Sequence, residues 1–449
     1  MLTIAEQLME LQVTWTDSLR EAVRMTFLDT IGAMIMGAQE AEVQRLMDVL
    51  SAADEGHCFQ VVGDARKFSL TDAAFMMGTS SVAVELDEGN QWSKGHPAVH
   101  VLPMLLLHSQ QEKAYTGGRF MEDMVKGYEA CTHFGKITQL KPDLHAHGTW
   151  GVLGSAASLG IANEVDVFGL SKLLNTAATF ATPTKWTAAL EGAGVRNVYM
   201  AESLVGGLRA WQLTQADIAA PSNNAAFIYG ELLGTGFNLE TPLGEDSFAI
   251  ENNYFKFHAF CRYVHVPIEA FQLLIKEHGI HIDAIETITV ATYARAATLK
   301  EKKPGNSLSS KFSIPFALAS SYYDGRSDHS IFKEKLYEQE QIRELASKVT
   351  VLHDPVLDEN YPNVMPARVT ITTKTKEIFS RELDYALGGP DEKSNYAMIR
   401  EKFLHNTAGI LTTKGQEEVL AFLDELKTQP SVQEIFSIIN NQIDRRVHV

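Results

Sequence analysis

Gly151-Val152-Leu153-Gly154-Ser155-Ala156-Ala157 is the stretch on which the fold turns. It is apolar yet small, with glycine, alanine and serine where a helix facing an ordinary core would carry leucine. Small residues let helix axes approach closely, so residues 149–162 predict a helix packed among helices in a compact core. The pattern recurs outward. Residues 19–37 set Ala22, Met25, Thr26, Leu28, Ile31, Ile35 and Met36 on one broad apolar stripe, and Gly37 provides a stop. Similar helical periods run through 71–85, 101–111, 118–132, 169–180 and 199–215.

After about residue 251 the period changes from helical to alternating. β-Branched residues alternate in Ile285-Glu286-Thr287-Ile288-Thr289-Val290-Ala291-Thr292, in Val349-Thr350-Val351-Leu352 and in Ala367-Arg368-Val369-Thr370-Ile371-Thr372-Thr373. A turn at Lys374-Thr375 leads into Lys376-Glu377-Ile378-Phe379-Ser380-Arg381-Glu382-Leu383 as the return strand of a hairpin. Helical stretches at 266–278, 314–323 and 342–347 lie between the strands. Together these predict a small α+β domain with a mostly antiparallel sheet. Tyr385-Ala386-Leu387-Gly388-Gly389-Pro390 breaks the pattern, and helices resume from about 396 to 443.

The chain has 449 residues, more than one core usually organises, so two domains are expected. Its 45% hydrophobic and 21% charged content are those of a folded globular protein. A net charge of -17, with no basic arm, argues against a nucleic-acid partner, while a local cationic pocket can still bind anions. Three cysteines, Cys58, Cys131 and Cys261, are odd in number and far apart. They predict neither a disulfide framework nor a thiolate metal site, and fit a reducing compartment. The start, Met1-Leu2-Thr3-Ile4-Ala5, lacks a signal-peptide pattern, and no apolar run reaches spanning length. The expectation is a cytoplasmic protein with no membrane partner.

Walker, zinc-type His-Glu-x-x-His, Gly-x-Gly-x-x-Gly and Gly-x-Ser-x-Gly signatures are absent from the sequence. Four segments remain as candidate chemistry. Glu85-Leu86-Asp87-Glu88-Gly89-Asn90 precedes Gly95-His96-Pro97-Ala98-Val99-His100, and carboxylates beside imidazoles suit proton transfer near neutral pH. His96 and His100, four apart, also have the spacing of a metal pair with Asp87, and a hydrogen-bonded loop is the plain alternative. Pro97 predicts a helix start there. Asp143-Leu144-His145-Ala146-His147-Gly148-Thr149-Trp150 supplies two more imidazoles before a helix that Thr149 is expected to cap. His147 reads as a packing residue. Arg196 follows the glycine-flexed Glu191-Gly192-Ala193-Gly194-Val195, and a guanidinium binds carboxylates in bidentate fashion unless it is merely solvated. Finally, Lys256, His258, Arg262 and His265 are interleaved with aromatics that would desolvate them, or else form an ordinary connection with its cations outside.

The order of these motifs resembles the MmgE/PrpD family of 2-methylcitrate dehydratases, cis-aconitate decarboxylases and an iminodisuccinate epimerase. The resemblance runs from Leu28-Asp29-Thr30-Ile31-Gly32 through residues 85–97, 145–157, 191–197, 256–265 and 311–325 to Gly388-Gly389-Pro390. It implies a mainly α fold in which both ends of the chain, 1–252 and 391–449, form one large helical domain around a smaller α+β lid at 253–390. It further implies a homodimer, no metal and no organic cofactor, and a site in the cleft between the domains. The family's acidic loop falls on Asp87, its loop histidine on His96 and the histidine before its glycine-rich helix on His145. A substrate-binding lysine of the decarboxylase branch falls on Arg196, and the lysine opening the interdomain motif on Lys256. Where relatives often carry Asp-Asp-Thr, this chain has Asp87-Glu88-Gly89 then Asn90. Where the decarboxylase branch has a tyrosine, it has Phe316.

The expectation is therefore a cofactor-independent lyase, a hydro-lyase first, working on a small di- or tricarboxylate by proton transfer at carbon. Asp87, His96 and His145 are the candidate catalytic groups; Asn90, Arg196, Lys256, His258 and His265 are the candidate substrate-binding groups. An epimerase or decarboxylase of a related acid is the alternative, and a non-catalytic carboxylate-binding protein the alternative from another class.

Overall fold

Glycine at 151 and 154 is a matter of distance. In the computed structural model a Cβ at Gly154 would lie 2.1 Å from Cys131 Sγ, and one at Gly151 would lie 2.1 Å from the His100 ring. The helix Gly151–Ala162 is buried along its whole length. It packs against the helices Ala98–Gln111, Gly117–Ile137, Val167–Ala178 and Tyr199–Gln215. Close packing of this kind makes even one added methyl costly, about 1–3 kcal/mol for overfilling a core.

The structure describes residues 1–51, 58–244, 247–325, 327–389 and 393–444. Its contacts divide the chain into two units, one of Met1–Lys185, Asn197–Tyr254 and Ser394–Val449 and one of Trp186–Arg196 and Phe255–Lys393. The architecture is mainly α with a smaller α+β unit. The sequence-based boundary at 390/391 lies outside the described residues, and Arg196 groups with the smaller unit.

In the larger unit the helix Asp17–Ala38 starts on a Thr16 side chain that accepts the Leu19 N–H at 3.0 Å. Thr116 and Asp166 cap Gly117–Ile137 and Val167–Ala178 in the same way. Thr149 does not cap the next helix as expected. That helix opens after Trp150 without a side-chain cap, and Thr149 Oγ1 donates to the Ala146 carbonyl instead. Two short antiparallel ribbons join the helices, Phe59–Val61 with Asp64–Phe68 and Thr138–Leu140 with Gly234–Phe237.

The smaller unit holds a four-stranded sheet in the order Val349–His353, Ile285–Thr292, Ala367–Thr373, Ile378–Leu383. The first pair is parallel, with Ile288 beside Val349; the others are antiparallel, with Ile288 facing Ile371 and Thr370 facing Ser380. Ile288, Val290 and Thr292 with Ala367, Val369 and Ile371 are buried, the period-2 face that the alternation predicts. The helix His265–His278 packs on the last two strands and ends at Gly279 with φ 58°. The return strand starts at Ile378, not Lys376. Lys376 has φ 69° in the turn, and its ammonium reaches both oxygens of Glu286.

Among the described residues no helix is long and apolar enough to cross a membrane. Among the described residues no disulfide joins the three cysteines; Cys58 is exposed and the other two are buried.

Candidate active site

The acidic loop is tied down before it does any chemistry. Gly89 exchanges both main-chain hydrogen bonds with Tyr254, at 3.0 and 2.7 Å, and a Cβ on Gly89 would lie 2.3 Å from the Tyr254 hydroxyl. No larger residue fits there unless that tyrosine moves. Asn90 holds the following turn: its Oδ1 accepts the N–H of Trp92 (3.0 Å) and Ser93 (3.3 Å), and its Nδ2 donates to the Ala249 carbonyl at 3.2 Å. Lys402 donates to the Leu86 carbonyl at 2.9 Å and pairs with the buried Asp29. The backbone on either side of Asp87 is thus pinned.

Asp87 is fully buried, and its Oδ2 lies 2.8 Å from His96 Nδ1. The same ring nitrogen lies against the Glu88 carbonyl oxygen. A nitrogen between two acceptors carries the hydrogen, so neutral His96 is the Nδ1–H tautomer and Nε2 bears the lone pair. The Nδ1 hydrogen bond runs to the Glu88 carbonyl, and the Asp87 carboxylate lies close enough to stabilise an imidazolium. Behind it, Glu88 accepts the Ala98 N–H at the start of the helix Ala98–Gln111 and the Tyr128 hydroxyl at 3.2 Å. Burial pushes the Glu88 carboxyl well above its usual range against those bonds, and the charges of Asp29 and Asp87 add to the rise.

His145 has the opposite polarity. The main-chain N–H of His147 donates to His145 Nδ1 at 3.0 Å. An amide N–H can only donate, so Nδ1 carries no hydrogen and neutral His145 is the Nε2–H tautomer. The rings of His145 and His147 are 4.2 Å apart between centroids, and His147 stands 5.0 Å from His96. Tyr199 lies 6.0 Å from His145, and Tyr254 lies 6.3 Å from His96. The larger unit therefore gathers three buried imidazoles: His96 beside the Asp87 carboxylate, His145 with its hydrogen on Nε2, and His147 between them.

His100, the other half of the possible metal pair, is sealed in the core against Trp150 and Gly151. Neither ring nitrogen has a hydrogen-bond partner, and burial, with the neighbouring His96, lowers its pKa to about 3. It is neutral at any pH at which the protein would work. Among the described residues no three His, Cys, Asp or Glu side chains are grouped as a metal site.

The smaller unit carries the cations. Arg196, 1% exposed, sits on a 3₁₀ turn with its guanidinium 5.1 Å from the centre of the Phe312 ring. The preceding Gly192 has φ 71°, and its carbonyl is held by Asn306 at 2.9 Å. Lys256 is fully buried. His258 bonds Ser327 through Nδ1 and faces Glu269 at 3.4 Å through Nε2, while Glu269 also accepts the Leu387 N–H. His265 Nε2 donates to the Phe260 carbonyl at 3.1 Å, and Arg262 lies 3.5 Å from its Nδ1. Burial, then the charges of His258, Arg262 and Lys256, hold the His265 pKa well below the ordinary value. Its ring is neutral and engaged inside the unit. Phe316 is buried against Phe260, Phe332 and Tyr337.

Sequence reading singled out Asp87, His96 and His145, which the fold places in one unit, and Arg196 and Lys256, which it buries in the other. It missed the contact of His147 with both catalytic candidates. It also missed Tyr254, visible only as the first aromatic before Lys256.

A search of curated proteins returned no match. Two family models do match: the MmgE/PrpD N-terminal domain over residues 3–230 and the MmgE/PrpD C-terminal domain over 258–428. Members of this family are typically dehydratases, decarboxylases or epimerases. The two matches take in nearly the whole chain, and the chain belongs to the MmgE/PrpD family.

Proposed function

We propose that this chain is a cofactor-independent hydro-lyase that acts on a small di- or tricarboxylate, removing a proton from a carbon beside a carboxylate. The observation that carries the reading is the opposite polarity of two imidazoles in one unit. His96 offers a lone pair at Nε2 with Asp87 behind it, and His145 offers an N–H at Nε2. In this reading His96 Nε2 takes the proton from carbon, and the Asp87 carboxylate stabilises the imidazolium that forms. The electron pair left on carbon delocalises into the adjacent carboxylate. The His145 N–H binds the oxygen on which charge accumulates, the electrostatic term that is usually the largest.

Arg196 and Lys256, both buried cations, are the carboxylate-binding groups of the proposal. In elimination the β-hydroxide departs with the proton that His96 acquired, giving water and an alkene. An epimerase would use the same intermediate and return the proton to the opposite face. We further propose a homodimer working in the cytosol; size-exclusion chromatography with light scattering tests the dimer.

The test of the reaction is incubation with citrate-like and succinate-like acids in D2O, followed by proton NMR. A new alkene signal supports the hydro-lyase. Loss of a C–H signal without an alkene supports the epimerase. Acids that bind with neither exchange, elimination nor loss of CO2 refute the enzyme reading.

A further inference from the structure

The polarity of His145 comes from the shape of its turn, and that shape is imposed by a segment 34 to 41 residues further along the chain. Residues 182–185 run antiparallel to 144–148. Leu144 bridges Lys185, His145 N–H donates to the Thr184 carbonyl at 2.9 Å, and Thr182 N–H donates to the Gly148 carbonyl at 2.8 Å. The Thr184 hydroxyl closes the turn. It donates to the His147 carbonyl and lies 3.3 Å from the His145 carbonyl, so one side chain clasps both ends of the three-residue segment. Gly148 completes the fit. Its φ is 86°, and a Cβ there would lie 2.6 Å from Thr184 Cγ2. Thr184 itself is 2% exposed, so water does not compete for these bonds.

We infer that Thr184 is a positioning residue for His145. By holding the His145 and His147 carbonyls it fixes the two peptides that flank the Ala146–His147 peptide, and so sets the direction in which the His147 N–H meets His145 Nδ1. That single bond excludes a hydrogen from Nδ1, and the imidazole is kept as the Nε2–H donor. Without the clasp the turn relaxes, Nδ1 is released, and His145 exchanges between tautomers. The inference rests on the proposed use of His145 as a hydrogen donor, but its structural half is measurable without any substrate.

The experiment uses the full-length protein labelled with 15N-histidine, with His145 assigned by comparison with H145Q. In the wild type, His145 Nδ1 should show the signal of an unprotonated ring nitrogen. Thr184→Val removes the hydroxyl at nearly constant volume, and that signal should be lost or averaged. Thr184→Ser, which keeps the hydroxyl, should retain it. With an acid that the wild type turns over, T184V should lower kcat roughly tenfold or more with KM within about twofold, and T184S should restore it.

Retention of both the Nδ1 signal and kcat in T184V, with only a lower melting temperature, would overturn the inference and leave Thr184 a packing residue. If T184V does not fold, Gly148→Ala, which forces a methyl against the threonine, is read by the same signal, and an unchanged tautomer there refutes the inference. If the wild type turns over no acid, the proposed function fails on its own, and the nitrogen spectra still decide the role of Thr184.

Discussion

Glu88→Gln is the substitution whose consequence follows most directly from the geometry. Glu88 is wholly buried, one oxygen on the Ala98 N–H and the other 3.2 Å from the Tyr128 hydroxyl, and its carboxyl pKa lies well above the ordinary 4.5. The folded protein therefore holds a proton on Glu88 at a pH where the unfolded chain has released it. Stability changes with pH in proportion to protons bound by the unfolded state minus those bound by the native state, here -1. Between the ordinary carboxyl value and the raised one, the wild type loses about 1.4 kcal/mol of stability per pH unit from this group as pH rises.

Glutamine has the shape of the protonated acid, with a carbonyl for the Ala98 N–H and an amide donor for Tyr128, and it has no proton to lose. E88Q should match the wild type near pH 4.5 and become progressively more stable than it toward neutrality. Paired urea denaturation curves at half-unit pH steps measure the difference. A difference that stays flat, or that turns against E88Q as pH rises, would show that Glu88 is ionised in the fold and refute the reasoning. Glu88→Ala is the control. It strands the Ala98 N–H and opens a cavity, costing about 3 kcal/mol or more at every pH.

Asp87→Asn should leave folding intact and lower kcat by about 10³–10⁴, because an amide behind His96 can donate to Nδ1 and select the wrong tautomer; a rate within tenfold of wild type, measured with any acid that is turned over, removes the dyad from the mechanism. His100→Leu should abolish an acid sensitivity. The folded pKa of His100 is lowered from 6.5 to about 3, so its contribution is complete above 6.5 and is lost at about 1.4 kcal/mol per unit as pH falls toward 3; acid-unfolding midpoints that do not separate the two proteins contradict its neutrality. Arg196→Ala should raise KM about 10–100-fold with little change in kcat if the guanidinium is a carboxylate clamp, and a loss confined to kcat would assign it to the transition state instead.

The helical scaffold was legible because its signals are local. The stripe of residues 19–37 and the small residues from Gly151 to Ala157 each announce a helix within two or three turns, and the alternation of residues 285–292 announces a strand. The ribbons Phe59–Val61 and Thr138–Leu140 were not legible, since three residues are too few for a period. Thr149 was misread as a cap because a hydroxyl before a helix has two possible uses, and here the acceptor is Ala146 O rather than a helix N–H donor. In the candidate site the chemical types were legible and the roles were not. Asp87 and His96 lie nine residues apart in one loop, so their meeting needs only a turn. Thr184 lies 39 residues from His145 and meets it largely through main-chain groups that every residue type possesses.

That difference explains why two histidines read alike in sequence and differ in chemistry. An imidazole is a base or a donor according to which nitrogen is engaged and by what. His96 meets a carboxylate and a carbonyl, both acceptors, and His145 meets an amide N–H, a donor. The acceptor beside His96 is a side chain, so Asp87 could be proposed from composition. The donor beside His145 is backbone, placed by the Gly148 turn and the Thr184 clasp, and it carries no residue code. If the proposed reaction holds, reversing the hydrogen-bond polarity at His145 would turn its donor into a base while every candidate catalytic side chain stayed in place. Candidates for altered chemistry on this fold should therefore be sought around Thr184 and Gly148 as well as among the acids and imidazoles.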